Sequence, residues 1–333
     1  MNDNSQENLG TAPPTATIQP LGPAAGPGTS SRRQTVHEVI TARMVELLER
    51  GTIPWRSGWT RSPVGAPRSA STGKVYRGIN HFLLAVAAQA AGYARSSWIT
   101  FRQAKDLGGS VRKGEKGLPC IFWRVLDGRS GADEQDADAA DDGVAPSSGR
   151  RRFVVRYYTV FNVQQCEGLP ADLVDTTTTP ARAILPCDAI VSGYQAGPTI
   201  DHGFNRACYS PIDDKVSMPS PTVFDTAEGY YATLYHELTH SSGHPDRLGR
   251  FPSSGIVPPF GSPDYSREEL VAEMGSALLC AEAGISCATL ENQAAYVAGW
   301  LKVLEEDSRA VIFAAAQAQR AVDRILGRSG GEA

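Results

Sequence analysis

A chain of 333 residues is longer than one hydrophobic core usually supports, so two domains are expected. Its 41% apolar and 20% charged residues are ordinary for a folded protein, and no apolar run approaches the roughly 18 residues of a bilayer span, which argues against membrane insertion. The net charge of -4 conceals an asymmetry that bears on partners: residues 31–170 hold 21 Lys and Arg against 13 Asp and Glu (+8), whereas residues 171–333 hold 11 against 21 (-10).

Residues 1–30 are rich in Pro, Gly, Thr and Ala and contain no Lys or Arg. They lack the charged start and apolar block of a secretory signal and read as a disordered tail. The six cysteines are scattered without a CxxC pair, which fits reduced thiols and a cytoplasmic protein better than a disulfide framework.

Residues 35–50 place Val36, Val39, Ile40, Met44, Leu47 and Leu48 at helical spacing, with Thr35 as N-cap and Gly51 as the stop. A Trp-containing loop follows over 53–59, then a Gly-, Ser- and Pro-rich stretch. Residues 80–92 predict a second helix, 98–107 a short third one, and 113–126 a turn entering a β-strand. The stretch 127–149 is acidic and nearly devoid of large apolar residues, so it reads as a disordered insertion in a hairpin whose second strand resumes at 152–162.

A low-complexity linker is expected over 171–183, closing an N-terminal domain of residues 31–170. The second domain, 184–328, should open with strands over 199–209 and 215–218. A helix from 225 onward follows, then another near 266, and 290–326 is largely helical. The fold class is α+β: a mixed α/β domain followed by a mainly helical one.

The helix from 225 carries YHELTHSSGH (235–244). Imidazoles four residues apart on a helix share one face, so His236 and His240 can bind one metal ion, and Glu237 can reach a metal-bound water without being a ligand. A catalytic Zn2+ needs a third protein ligand and an open position. His244 is one candidate, but Gly243 and Pro245 signal the end of the helix, and the H-E-x-x-H-x-x-G-x-x-H spacing fails because residue 246 is Asp. The stronger candidate lies in SREELVAEMGSA (266–277), where Glu269 is assigned to the metal and Glu273, one turn on, to a hydrogen bond with a ligand histidine. Glu268 is set aside because it points off that face. Tyr231, Tyr235 and His244 remain alternatives for steadying an oxyanion.

Single-stranded DNA is held by cationic grooves and by aromatic rings on which bases stack. The first half interleaves the two: Trp55, Arg56 and Trp59, then Lys74, Tyr76 and Arg77, then Trp98 and Arg102, then Arg112, Lys113 and Lys116. Taken singly, each aromatic is more often a core residue than a platform. The charge segregation favours a nucleic-acid partner, and the absence of a helix-turn-helix or finger pattern favours single strands over sequence-specific duplex.

Several segments in order carry a family resemblance. IPWRSGW (53–59), TGKVYRGIN (72–80), SSWITFRQA (96–104), VRKGEKG (111–117) and YYTVFNVQQCEGLP (157–170), followed by FDTAEGYYATLYHELTHSSGH (224–244) and SREELVAEMGSALL (266–279), resemble ArdC-like antirestriction proteins of conjugative plasmids. The N-terminal part of that family is shared with TraC-type primases. The resemblance spans most of residues 34–326. It implies a domain that binds single-stranded DNA, a zincin-like metallopeptidase domain with zinc on His236, His240 and a downstream Glu, and protection of incoming plasmid DNA from host restriction. A metalloprotease localised on DNA, acting on a protein or peptide substrate, is the alternative. A length of 333 residues leaves no room for a primase catalytic domain.

Overall fold

The computed structural model of the chain describes residues 35–55, 66–126, 152–174, 186–254, 258–259, 261–285 and 293–328. The tail 1–30, the insertion 127–149 and most of the expected linker lie outside the described residues.

The first helix, α1 (Val36–Glu49), starts where a capping box forms: Thr35 accepts from the Glu38 amide and Glu38 accepts from the Thr35 amide. It buries Val36, Ile40, Met44, Leu47 and Leu48. A short strand β1 (Arg68–Ser69), helix α2 (Gly78–Ala90), strand β2 (Ser97–Thr100), helix α3 (Phe101–Asp106) and strands β3 (Ser110–Val111), β4 (Leu118–Leu126), β5 (Arg152–Asn162) and β6 (Cys166–Glu167) complete the first half. The main sheet has the order β1-β2-β5-β4, with β1 and β2 parallel and the other pairs antiparallel; β3 and β6 form a separate ribbon. The β4–β5 register runs without interruption to Leu126 opposite Arg152, so the acidic stretch joins two paired strands.

The expected helix over 98–107 divides in two. Residues 98–100 pair with β5, because Trp98 and Ile99 each have a buried slot in the sheet, and only at Thr100, which caps Gln103 in a second capping box, does the chain turn helical.

After α4 (Ala171–Val174) and α5 (Cys187–Ser192) comes a three-stranded sheet. Strand β9 (Lys215–Met218) lies in its middle, parallel to β7 (Thr199–His202) and antiparallel to β8 (Cys208–Ser210). The expected continuous strand over 199–209 is therefore two strands that flank a third. Four helices follow: α6 (Ala227–Ser241), α7 (Pro263–Ala283), α8 (Gln293–Glu306) and α9 (Ala310–Ile325), the last two separated by a break at 307–309. Gly284, left-handed at φ 66°, ends α7.

One apolar cluster joins residues of α1, α2, α6, α7, α8 and α9. Trp55 meets Trp300 edge to face at 5.2 Å between ring centres. Polar contacts cross the same surface: Thr41 donates to the Ser308 carbonyl at 2.7 Å, the Gly78 amide donates to Gln319 at 3.2 Å, and Arg77 pairs with Asp323. Among the described residues no helix is long and apolar enough to cross a membrane.

Candidate metal centre

Helix α6 begins at Thr226, whose hydroxyl accepts from the Gly229 amide at 3.0 Å. From there the helical period aligns His236 and His240 on one face, their Nε2 atoms 3.1 Å apart. Helix α7 crosses α6 closely. Gly275 permits the approach, since a Cβ there would sit 2.4 Å from Thr239 Cγ2, and Ser276 donates to the Ala232 carbonyl at 2.8 Å. The crossing carries the first turns of α7 over the two imidazoles. Glu269 is thereby buried, with one carboxylate oxygen 3.5 Å from His236 Nε2 and the other 3.5 Å from His240 Nε2.

These three residues can each offer one ligand atom, all within 4.8 Å of one another. Donors bound at about 2.0–2.1 Å around a tetrahedral ion are about 3.3 Å apart, so the spacing fits a small divalent metal, and two nitrogens with one carboxylate suit zinc.

The electrostatics agree. Burial works to lower the His240 pKa, but hydrogen bonds to Glu268 and Glu269 outweigh it and push it up to about 10. His236 is raised for the same reason, through Glu269. Burial would raise Glu269, yet the two imidazoles hold its carboxyl far below the usual range. Groups that share protons this tightly can exchange them for a cation.

Glu237 is buried beside His236 on α6. Glu273 lies one turn beyond Glu269, with an oxygen 3.9 Å from His236 Nδ1, beyond hydrogen-bonding length. Glu268, which sequence reasoning set aside, does point away from the metal position, yet it accepts from His240 Nδ1 at 3.2 Å. Arg250 grips the same carboxylate at 2.9 and 2.8 Å. The doublet Glu268–Glu269 was the available signal: adjacent helical positions diverge by about 100°, so one carboxylate can face the metal position while the other meets a histidine from the side. Nothing in the local sequence marks Arg250.

His244 is outside the cluster, its Nδ1 accepting from the Asp246 amide at 3.2 Å. Tyr235 donates to the Cys187 carbonyl at 3.2 Å and Tyr231 to Asp188, so both hydroxyls are directed to α5.

The residues expected to meet DNA separate into three groups. Trp55 and Trp98 are 0% and 1% exposed, so neither ring offers a face to a base; both are core residues, which corrects the expectation. Tyr76 is half-buried and packs against the cluster containing Trp98. Arg77 is bound to Asp323, and Arg112 donates to Glu115 and to the Gln164 carbonyl at 2.8 and 2.7 Å. Lys74, Arg102, Lys113 and Lys116 are exposed. Arg56 and Trp59 lie outside the described residues. The structure adds Phe101, 58% exposed beside Arg102 at the start of α3.

Two helices presenting HExxH and a following Glu beside a small sheet define a zincin-like metallopeptidase domain, here packed against an α/β segment. Residues 187–318 match the family of zincin-like metallopeptidases, and residues 34–161 match the N-terminal domain of anti-restriction factor ArdC. The chain is similar over its length to the antirestriction ArdC protein from plasmid R388. The metal-free structure of that protein superposes with a TM-score of 0.66 at 35% identity, covering 87% of this chain and 96% of that one. Its Mn(II)-bound structure gives a TM-score of 0.67 at 34% identity, covering 88% and 98%. The chain is also 37% identical over 301 residues to a DNA primase TraC from Escherichia coli, which accounts for 88% of this chain but only 27% of the primase. It is 36% identical over 295 residues to the uncharacterized protein y4eC of Sinorhizobium fredii, covering 86% and 90%. The chain belongs to the ArdC family of antirestriction proteins.

Proposed function

We propose that this protein binds single-stranded DNA through its N-terminal half, protects incoming plasmid DNA from host restriction, and carries a zinc site of peptidase type in its C-terminal half. The observation that carries the metal site is the convergence of His236, His240 and Glu269 at donor spacing, and the Mn(II)-bound relative supports a divalent ion there. The DNA reading is supported by the exposed cations Lys74, Arg102, Lys113 and Lys116, by the exposed Phe101 ring, and by similarity to proteins named as antirestriction factors and primases. Because the chain spans 27% of that primase, priming is not carried over.

In this reading the two imidazoles and Glu269 would hold the metal. When bound, the metal supplies an acidified water and a polarised carbonyl. Glu237 would accept the proton of that water, while Glu268 would orient His240.

Binding of a labelled oligonucleotide, single-stranded against duplex, across a salt titration tests the DNA role. Preference for single strands with affinity falling steeply in salt is expected, and Phe101→Ala should cost about 1–3 kcal/mol of binding if the ring stacks on a base. Equal binding to duplex, or none, would overturn this role. The second reading, a protease localised on DNA, is favoured by Glu237, buried beside His236 of the metal cluster. Glu237→Gln should abolish proteolysis and spare metal and DNA binding; protection that survives the change would exclude catalysis as its cause.

A further inference from the structure

The structure assigns a joint role to Arg250 and Glu268, which together form a positioning device that selects which nitrogen of His240 meets the metal. Glu268 can accept a hydrogen bond only from a protonated nitrogen, and the nitrogen it faces is Nδ1, at 3.2 Å. A proton held there leaves the Nε2 lone pair directed at His236 and Glu269. Glu268 is itself immobilised by both arms of the Arg250 guanidinium, at 2.9 and 2.8 Å. The remaining donors of that guanidinium reach the Thr239 carbonyl at 2.8 Å and the Ser242 hydroxyl at 3.0 Å, which brackets His240 on α6 from both sides. Side chains only 9% and 15% exposed are costly to bury as ions, and here both serve one imidazole. The fork of an arginine suits a carboxylate in a way a lysine cannot.

The inference rests on the divalent-metal reading of the site. Zinc and manganese affinities of the full chain, measured by chelator competition, test it alongside the visible spectrum of the cobalt-substituted protein. Glu268→Ala and Arg250→Met should each weaken metal binding tenfold to a hundredfold and alter the cobalt bands. The double variant should be no worse than the more severe single one, because both act along one path. Glu268→Gln, which keeps an acceptor, should recover most of the loss. Variants that lose thermal stability but keep metal affinity and cobalt bands would make the pair merely structural and overturn the proposal. If the substitutions prevent folding, nitrogen NMR of the histidine-labelled parent decides: metal on His240 Nε2 with a proton on Nδ1 is expected, and metal on Nδ1 refutes the assignment. Failure of the unaltered chain to bind either metal would instead sink the metal reading itself.

Discussion

Glu269 is buried with its carboxylate oxygens 3.5 Å from two imidazole nitrogens, so it faces the same point as both histidines. Glu269→Gln should therefore remove a metal ligand and the countercharge of both histidines at once, and a loss of at least about a hundredfold in zinc affinity is expected by titration. A second residue-scale consequence concerns acid stability. Burial would raise the Asp214 carboxyl, but Arg247 and the Tyr209 hydroxyl outweigh it and hold it below the ordinary carboxylate range. A depressed folded value means that the contribution is complete above the unfolded value near 3.9 and is lost as pH falls through the folded one. Asp214→Asn should accordingly lower the urea midpoint at neutral pH and flatten its fall below about pH 4, so that the variant and the parent converge in acid. At this scale the sequence was informative wherever spacing alone decides: His236, Glu237 and His240 follow from the helical period. Arg250 did not, because its partner Glu268 is eighteen residues away and only the fold brings them together.

The pairing of α6 with α7 shapes the site at the scale of elements. The contact between Gly275 and Thr239 sets how closely the carboxylates approach the histidines. Gly275→Ala should force the helices apart or displace Thr239, costing about 1–3 kcal/mol in denaturant unfolding and weakening metal binding in parallel. A stability loss with unchanged metal affinity would show that the crossing tolerates the shift. Helix existence was legible from periodicity and caps, as Thr35 shows, whereas the Ser262 cap that starts α7 was not singled out. The strand over 97–100 was not, because its four residues carry no period of their own and become a strand by pairing with β5, more than sixty residues on.

The two halves of the molecule meet through apolar packing of α1 and α2 on α8 and α9, with Arg77–Asp323 beside it. Metal binding should stabilise the protein by about 2.7 kcal/mol at a hundredfold excess over Kd. Because the core is shared, tryptophan fluorescence from Trp98 in the first half and near-UV signals from α8 should shift together; two separated transitions would show that the halves unfold independently. The same packing explains why the aromatic count misled. Composition locates aromatics in the first half, but the core claims Trp55 through Trp300 and Trp98 through β5, and among the described residues of that half the most exposed ring is Phe101. The sequence alone determined what rests on local spacing and on charge: the α+β class, the paired imidazoles, Glu269 on its helix, and the basic and acidic halves. Tertiary structure decided which acid steadies His240, which aromatics are exposed and how the halves are joined, since each of these depends on contacts between residues far apart in the chain that no local pattern encodes.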